Sequence, residues 1–200
     1  MSTNNSMDAS SHGAFLKFAL QDLSKNGAKN LCPDRIAQLS GINNVYEDAD
    51  ALRIALATKG FSDLEKRLSQ STPASLPFEE RLFQACKSYL SMAQECPALL
   101  QLMFSLKNNN DKAPPATLKE AGDKAFTPLE HIITDAIAKD VLKTNDSRSA
   151  TLATWSFIHG SSFLIIREGK SIEENPEELN GMFQKLFSLL SKDSVSAKPN

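Results

Sequence analysis

The chain has few of the features that mark several large classes of protein. It contains three cysteines, Cys32, Cys86 and Cys96, and no Cys-x-x-Cys spacing. An odd number of widely spaced cysteines suits neither a disulfide framework nor a zinc site, so we predict free thiols in a reducing compartment. No apolar run approaches the roughly 18 residues of a membrane-spanning helix, and the polar N-terminus lacks the apolar core of a secretory signal. We therefore expect a cytoplasmic protein without a membrane partner.

An excess of positive charge and the common catalytic motifs are also lacking. The chain carries 22 Lys and Arg against 24 Asp and Glu, so it has no broad cationic field of the kind that phosphate contacts favour. It contains no HExxH, GxSxG, GxGxxG or Walker motif, and its three histidines show no paired metal-ligand spacing. We predict no catalytic residue, no metal and no cofactor, and hence that the protein is not an enzyme.

What the chain does have is helical periodicity. Apolar residues recur at three- and four-residue steps along most of its length, and strand-like alternation is nearly absent, which predicts an all-α fold. Ser, Thr and Pro interrupt the pattern at residues 70–76, which indicates a domain boundary. The predicted organisation is a disordered tail (1–11), a head with its connecting helix (12–69), a helical body (77–192) and a second disordered tail (193–200).

Several phrases of the sequence resemble regulators of the TetR family. In the head, Ile36-Ala37 and Gly41-Ile42 follow a short Pro-started helix, in the order of a helix-turn-helix unit. In the body, the segment from Trp155 to Gly160, which includes His159, resembles the TetR C-terminal domains that are named after a Trp-His-Gly signature. The resemblance covers roughly residues 15–190. It implies an N-terminal three-helix (helix-turn-helix) head followed by a C-terminal helical bundle for ligand binding and dimerisation.

The segment that would read DNA departs from the family pattern. After the turn glycine, Gly41, the chain is about five residues shorter than the family's recognition helix and its following segment. Glu47, Asp48 and Asp50 stand where phosphates would be met, and each carboxylate opposes DNA binding electrostatically. Residues 1–60 carry six positive and six negative charges, so the head is neutral.

Two functions follow from the resemblance. The first is a homodimeric, ligand-responsive transcriptional repressor that binds operator DNA and a small, mostly apolar effector. The second is a TetR-like dimeric protein that binds a ligand or partner but has lost specific DNA binding. The feature that separates them is whether residues 43–47 form a helix that can enter a major groove.

Three sets of residues are candidates for these roles. The candidate DNA contacts are Lys29, Asn30, Arg35, Asn43, Asn44 and Tyr46. The candidate effector contacts are Tyr89, Met92, Met103, Phe104, Phe126, Trp155, His159 and Phe163, for which plain core packing is the alternative. The candidate dimer interface is formed by Ile158, Ser162, Ile165, Met182, Phe183, Leu186, Phe187 and Leu190, because the last two helices carry more apolar surface than one intramolecular contact requires.

Overall fold

The computed structural model describes residues 9–105, 115–169 and 176–192. Over these ranges the chain forms eight α-helices, one 3₁₀ turn at Ala28–Asn30 and one isolated bridge between Leu142 and Ser191. The all-α prediction is confirmed. The helices are α1 (Ala9–Asn26), α2 (Pro33–Ser40), α3 (Ala49–Ser71), α4 (Phe78–Glu95), α5 (Pro97–Ser105), α6 (Ala116–Ala138), α7 (Ser147–Arg167) and α8 (Pro176–Leu190).

Helix ends follow local signals in the sequence. Pro33 occupies the first turn of α2, and Gly41 ends that helix with a φ of 69°, a conformation that costs glycine little. Asp146 caps α7 by accepting a hydrogen bond from the Ser149 amide at 3.0 Å. The first helix begins at Ala9, so residues 9–11 are helical and not part of a disordered tail as predicted. The rest of the two predicted tails lies outside the described residues.

The helices group into two compact units, which divide the chain differently from the predicted domains. The first unit runs to Phe61 and also takes in Cys96–Gly122; the second holds Ser62–Glu95 and the chain from Asp123 onward. Helix α5 therefore belongs with the head, since it packs against α1. The predicted body placed this helix with α4, because a sequence pattern gives a helix's apolar face but not its partner.

In the first unit, Gly60 lies where α3 meets α5. A Cβ atom at this position would lie 2.6 Å from Sδ of Met103 and 3.3 Å from a methyl group of Leu99. Any larger residue here would force the Met103 side chain to shift, and α3 continues through the glycine without a break. The sequence pattern showed this glycine only as an interruption.

The second unit is built around α4, which packs against α7 and α8. The face of α4 that carries Leu82, Ala85, Tyr89 and Ala93 is buried, at the three- and four-residue spacing of one helical stripe. On α6, Leu129, Ile132 and Ile133 are fully buried side chains of the same unit.

Candidate functional site

Five aromatic side chains of the second unit lie together; we call them the aromatic cluster. Its members are Tyr89, Phe126, Trp155, His159 and Phe163. Phe126 on α6 stacks on Trp155 of α7 with ring centroids 3.9 Å apart, and Tyr89 of α4 meets the same indole edge-on at 5.3 Å. One turn further along α7, the His159 ring lies 4.9 Å from Phe163. Three helices thus bring aromatic rings together, and two of these rings, Tyr89 and His159, also carry polar groups, a combination found in many small-molecule sites.

The polar group of the cluster is the pair formed by Tyr89 and His159. The Tyr89 hydroxyl lies 2.5 Å from Nδ1 of His159. Burial lowers the pKa of His159 and raises the pKa of Tyr89, so at neutral pH both groups are uncharged. A neutral imidazole that holds its proton on Nε2 accepts the phenol hydrogen at Nδ1. The pair can therefore orient a polar atom of a ligand without placing a charge among the rings.

The structure brings together five of the eight predicted effector contacts. Met103 and Phe104 lie on α5 in the first unit, where Met103 packs against Gly60 and the Phe104 ring meets Phe61 at 5.3 Å. They are therefore not members of the aromatic cluster. Met92 is buried on α4, and its position is that of a core residue. Apolar side chains of similar spacing serve different contacts, which the sequence pattern does not distinguish.

The residues predicted for the dimer interface lie in the core of a single chain. Six of the eight are buried there, and the other two, Met182 and Leu190, pack against buried clusters of the same unit. Side chains that are already buried within one chain are less available to a second copy, and this set of interface residues stays a prediction. The large apolar side chains that α7 and α8 do expose are Leu152 (58% exposed), Phe163 (40%), Leu164 (52%) and Leu189 (69%).

The segment that would read DNA contains no helix. Residues 42–48 lie between the end of α2 and the start of α3 in non-helical backbone, with alternating half-buried and exposed side chains. Tyr46 anchors the segment: its hydroxyl lies 2.7 Å from Nε2 of His12 and its ring packs on Phe15 at 5.5 Å. Burial raises the pKa of Tyr46 to about 12, so its hydroxyl stays protonated at neutral pH. Asp48 then starts α3 by accepting the Ala51 amide at 2.7 Å.

Four of the six predicted DNA contacts are engaged within the chain. Arg35 pairs with Asp22 at 2.5 Å and donates to the Asn30 carbonyl at 2.6 Å. The Asn44 amide donates to Asp34 at 3.1 Å and accepts the Tyr46 backbone N–H at 2.8 Å.

Asn30 and Tyr46 are the other two engaged residues: the Asn30 amide donates to the Asn26 carbonyl at 2.8 Å, and Tyr46 meets His12. The remaining predicted DNA contacts, Lys29 and Asn43, present exposed side chains.

Sequence reasoning missed the residues that hold these groups in place. His12 was assigned no role beyond lying near the N-terminal tail, although it binds the Tyr46 hydroxyl. Asp22 was counted only as a negative charge, although burial, which alone would raise its pKa, is outweighed by hydrogen bonds from Arg35 and Asn26 that lower it. An acid on the otherwise apolar face that carries Leu23 was the available signal for Asp22, while nothing in the sequence pointed to His12.

Two kinds of site are not found within the ranges that the structure describes. No group of three or more His, Cys, Asp or Glu side chains there could hold a metal ion. None of the described helices has both the length and the hydropathy needed to cross a membrane.

Comparison with known proteins identifies the family. Residues 82–187, just over half of the chain, match the model described as "Tetracyclin repressor-like, C-terminal domain". The chain belongs to the TetR family. The matched range contains the Tyr89–His159 pair and the residues Trp155, His159 and Gly160 on which the family resemblance was based.

Solved structures show the TetR fold over nearly the whole chain. A protein of unknown function from Rhodococcus sp. RHA1 superposes with a TM-score of 0.80 at 22% identity, covering 96% of this chain and 100% of that chain. A tetR-family regulatory protein from Rhodococcus RHA1 gives 0.69 at 13% identity, with coverages of 92% and 98%. The regulator FadR from Bacillus subtilis, solved in complex with stearoyl-CoA, gives 0.69 at 14% identity, with coverages of 90% and 98%. A comparison with curated proteins gives no significant match.

Proposed function

We propose that this TetR-family chain is a ligand-responsive dimer that does not read DNA bases through a recognition helix. The single observation that carries the proposal is the non-helical backbone of residues 42–48. Helix-turn-helix proteins read base edges by laying a helix into the major groove, whose width matches that of a helix. An extended segment held down by Tyr46 and His12 offers no such helix.

The charges of the head support the same proposal. Arg35, one of the two cations among the predicted DNA contacts, is neutralised by Asp22. Glu47 and Asp48 lie exposed just before α3. Since DNA affinity grows with the number of phosphates that a protein neutralises, this arrangement weakens non-specific binding as well as base reading.

The ligand site that we propose is the aromatic cluster. Phe126 of α6 and the rings of Trp155 and Phe163 on α7 lie next to the uncharged Tyr89–His159 pair, which suits a mostly apolar or aromatic effector with one polar group. A relative of the same fold was solved with stearoyl-CoA, a ligand with a long apolar chain. We therefore place apolar and acyl compounds first among those to be tested.

The proposed dimer uses the outer faces of α7 and α8. Leu164 and Leu189 are more than half exposed on these helices, and exposed apolar residues that form one patch mark a surface that a partner covers. Gly160 lies on the exposed side of α7, and a Cβ atom there would meet nothing within 4 Å in a single chain. A small residue at this position would allow close approach by the same helix of a second copy.

Two titrations of the purified full-length chain test this function. The first follows fluorescence anisotropy of DNA fragments from around its own gene, with scrambled fragments as controls, at roughly 50 and 200 mM salt, between which phosphate-driven affinity changes strongly. We expect no sequence-selective binding. The second follows the fluorescence of Trp155, the sole tryptophan, as aromatic and acyl compounds are added. We expect a saturable change that Trp155-retaining variants such as Phe126→Ala weaken.

The competing function is a DNA-binding repressor. Lys29 and Asn43 favour it, because their side chains are exposed on the head and could reach a phosphate and a base edge. Tight, selective binding that falls with salt, and that is lost in the variant Asn43→Ala, would establish the repressor and overturn our proposal. If no compound changes the fluorescence of Trp155, the proposed ligand site is wrong, and the function is then decided by the DNA titration only.

A further inference from the structure

The second unit also contains a polar crevice, whose lining residues are not members of the aromatic cluster. It has a volume of about 340 Å³, which lies at the lower end of the range for small-molecule sites. Its polar lining comes from the C-terminal part of α3 and the turn after it, from the first turn of α4 and from α6. These lining residues are Glu65, Ser69, Thr72, Arg81, Thr127 and His131.

Arg81 is the unusual residue of this crevice. It is only 5% exposed, and arginine is almost never so deeply buried without full pairing. Its Nη1 donates to Asp135 at 2.6 Å, but Nε is buried and has no hydrogen-bond partner in the described parts of the chain. Leaving a charged donor buried and unpaired is costly. The edge of the guanidinium that includes Nε is the edge that binds carboxylates through two parallel hydrogen bonds.

The remaining lining residues act mainly as acceptors. Ser69 already donates its hydroxyl hydrogen to Glu65 at 3.2 Å, and Thr72 donates to the Leu68 carbonyl at 2.8 Å. A hydroxyl that has donated its hydrogen still offers lone pairs. Since Asp135 balances the charge of Arg81, the carboxylate of Glu65 leaves the crevice with an excess of negative charge. The lining thus combines one buried, positively charged hydrogen-bond donor with several hydrogen-bond acceptors.

We propose that this crevice binds a small zwitterion of the amino-acid type, in addition to the apolar effector of the aromatic cluster. The ligand's carboxylate pairs with the Nε edge of Arg81, for which the guanidinium turns toward the crevice because Nε is otherwise buried. The ligand's ammonium group lies toward Glu65 and the hydroxyl oxygens. A purely anionic ligand is repelled by Glu65, and a purely cationic one leaves the Nε donor of Arg81 without a partner. The ligand therefore needs both charges.

The test uses the full-length protein, labelled with ¹⁵N, and the twenty amino acids at millimolar concentration. We expect at least one to shift the backbone amide signals of Thr72, Arg81 and Thr127 saturably, with little change in Trp155 fluorescence. For that amino acid, the N-acetylated form and the carboxamide each lack one charge, and we expect each to bind at least tenfold more weakly. Absence of saturable shifts for all twenty, or equal binding of the singly charged forms, overturns the proposal.

Three variants separate recognition from structure. Arg81→Lys and Glu65→Gln are each expected to weaken binding at least tenfold, and Glu65→Gln guards against a loss caused only by misfolding at the buried arginine. Glu80→Gln is the matched control, since it removes the charge of an exposed acid on the same turn of α4 that does not line the crevice, and it should change affinity less than twofold. An effect of Glu80→Gln as large as that of Arg81→Lys, or no effect of Glu65→Gln, contradicts the proposal.

Discussion

The guanidinium of Arg35 donates two hydrogen bonds to the carboxylate of Asp22, with Nη2 2.5 Å from Oδ2 and Nε 3.2 Å from Oδ1. Asp22 is buried on α1, whereas Arg35 on α2 is 39% exposed. The contact therefore joins the first two helices of the head, and it places the arginine against a carboxylate instead of leaving it for a phosphate. A residue that the sequence predicts as a DNA contact serves here to hold the head together.

Replacing Asp22 by Asn tests this role. The substitution keeps the shape and removes the charge, and we expect a loss of about 1–3 kcal/mol in unfolding free energy, toward the lower end because solvent screens the exposed arginine. The pKa of Asp22 is lowered in the fold, so its contribution is full above the unfolded pKa of about 4 and is lost as the pH falls through the folded value. Urea unfolding between pH 7 and pH 3 should show a smaller acid-induced loss in the variant. Asp34→Asn, which alters an exposed acid of the same head, is the control and should change stability little.

A second prediction concerns the pH dependence of the Tyr89–His159 pair. Burial lowers the pKa of His159, so below about pH 6.5 the unfolded chain takes up this proton more readily than the folded chain. Stability should therefore fall as the pH drops from about 7 through 6, and the variant His159→Gln should flatten this part of the curve. Tyr89→Phe removes the donor to Nδ1 and should cost about 1 kcal/mol at neutral pH. A curve for His159→Gln that has the slope of the parent protein would contradict the buried, neutral imidazole.

The two pH effects lie in different windows, and this allows them to be separated. The carboxylate of Asp22 acts below about pH 4, and the imidazole of His159 acts near pH 6 to 7. The double variant Asp22→Asn/His159→Gln should lose both slopes, because the two groups titrate in different pH windows and belong to different units.

The sequence predicts the helices far better than it predicts their partners. Helix α7, for example, begins directly after its capping residue, Asp146, because capping and periodicity are local signals. The apolar face of Phe183, Leu186 and Phe187 was also recognised, and it is buried within the single chain. An amphipathic pattern shows that a face is buried and leaves open what buries it.

Among the candidate site residues, those that belong to a sequence motif were predicted, and those that depend on distant partners were not. Trp155 and His159 were found because they carry the family resemblance, and the structure brings them together with Tyr89. The partners of Asp22 and Arg81 could not be predicted, since these partners lie 13 and 54 residues away along the chain. Contacts at such separations depend on the fold as a whole.

A third prediction concerns Gly60. In an open helix, Gly→Ala stabilises by about 1 kcal/mol, but a Cβ atom here would lie 2.6 Å from Sδ of the buried Met103. Since overpacking typically costs about 1–3 kcal/mol, we expect Gly60→Ala to be destabilising overall by thermal unfolding. The matched control is Gly122→Ala, whose Cβ would meet the Phe61 ring at an ordinary 4.0 Å and should stabilise. In a Met103→Ala background, Gly60→Ala should become stabilising as well; if it stays destabilising, the clash is not its cause.

The last prediction concerns the outer face of α7 and α8. Leu164 and Leu189 are 52% and 69% exposed in a single chain, so a charge at either position has little effect on the monomer but is strongly disfavoured in a dry interface between two copies. We expect Leu164→Glu and Leu189→Glu to shift the protein from dimer to monomer, measured by sedimentation at micromolar concentration, with the helical circular dichroism unchanged. Leu39→Glu is the matched control, because Leu39 is 59% exposed on the head and lies outside the proposed interface. Should all three variants dimerise alike, the two-fold contact lies elsewhere on the chain; should Leu39→Glu alone dissociate the dimer, the head and not the C-terminal pair of helices forms the interface.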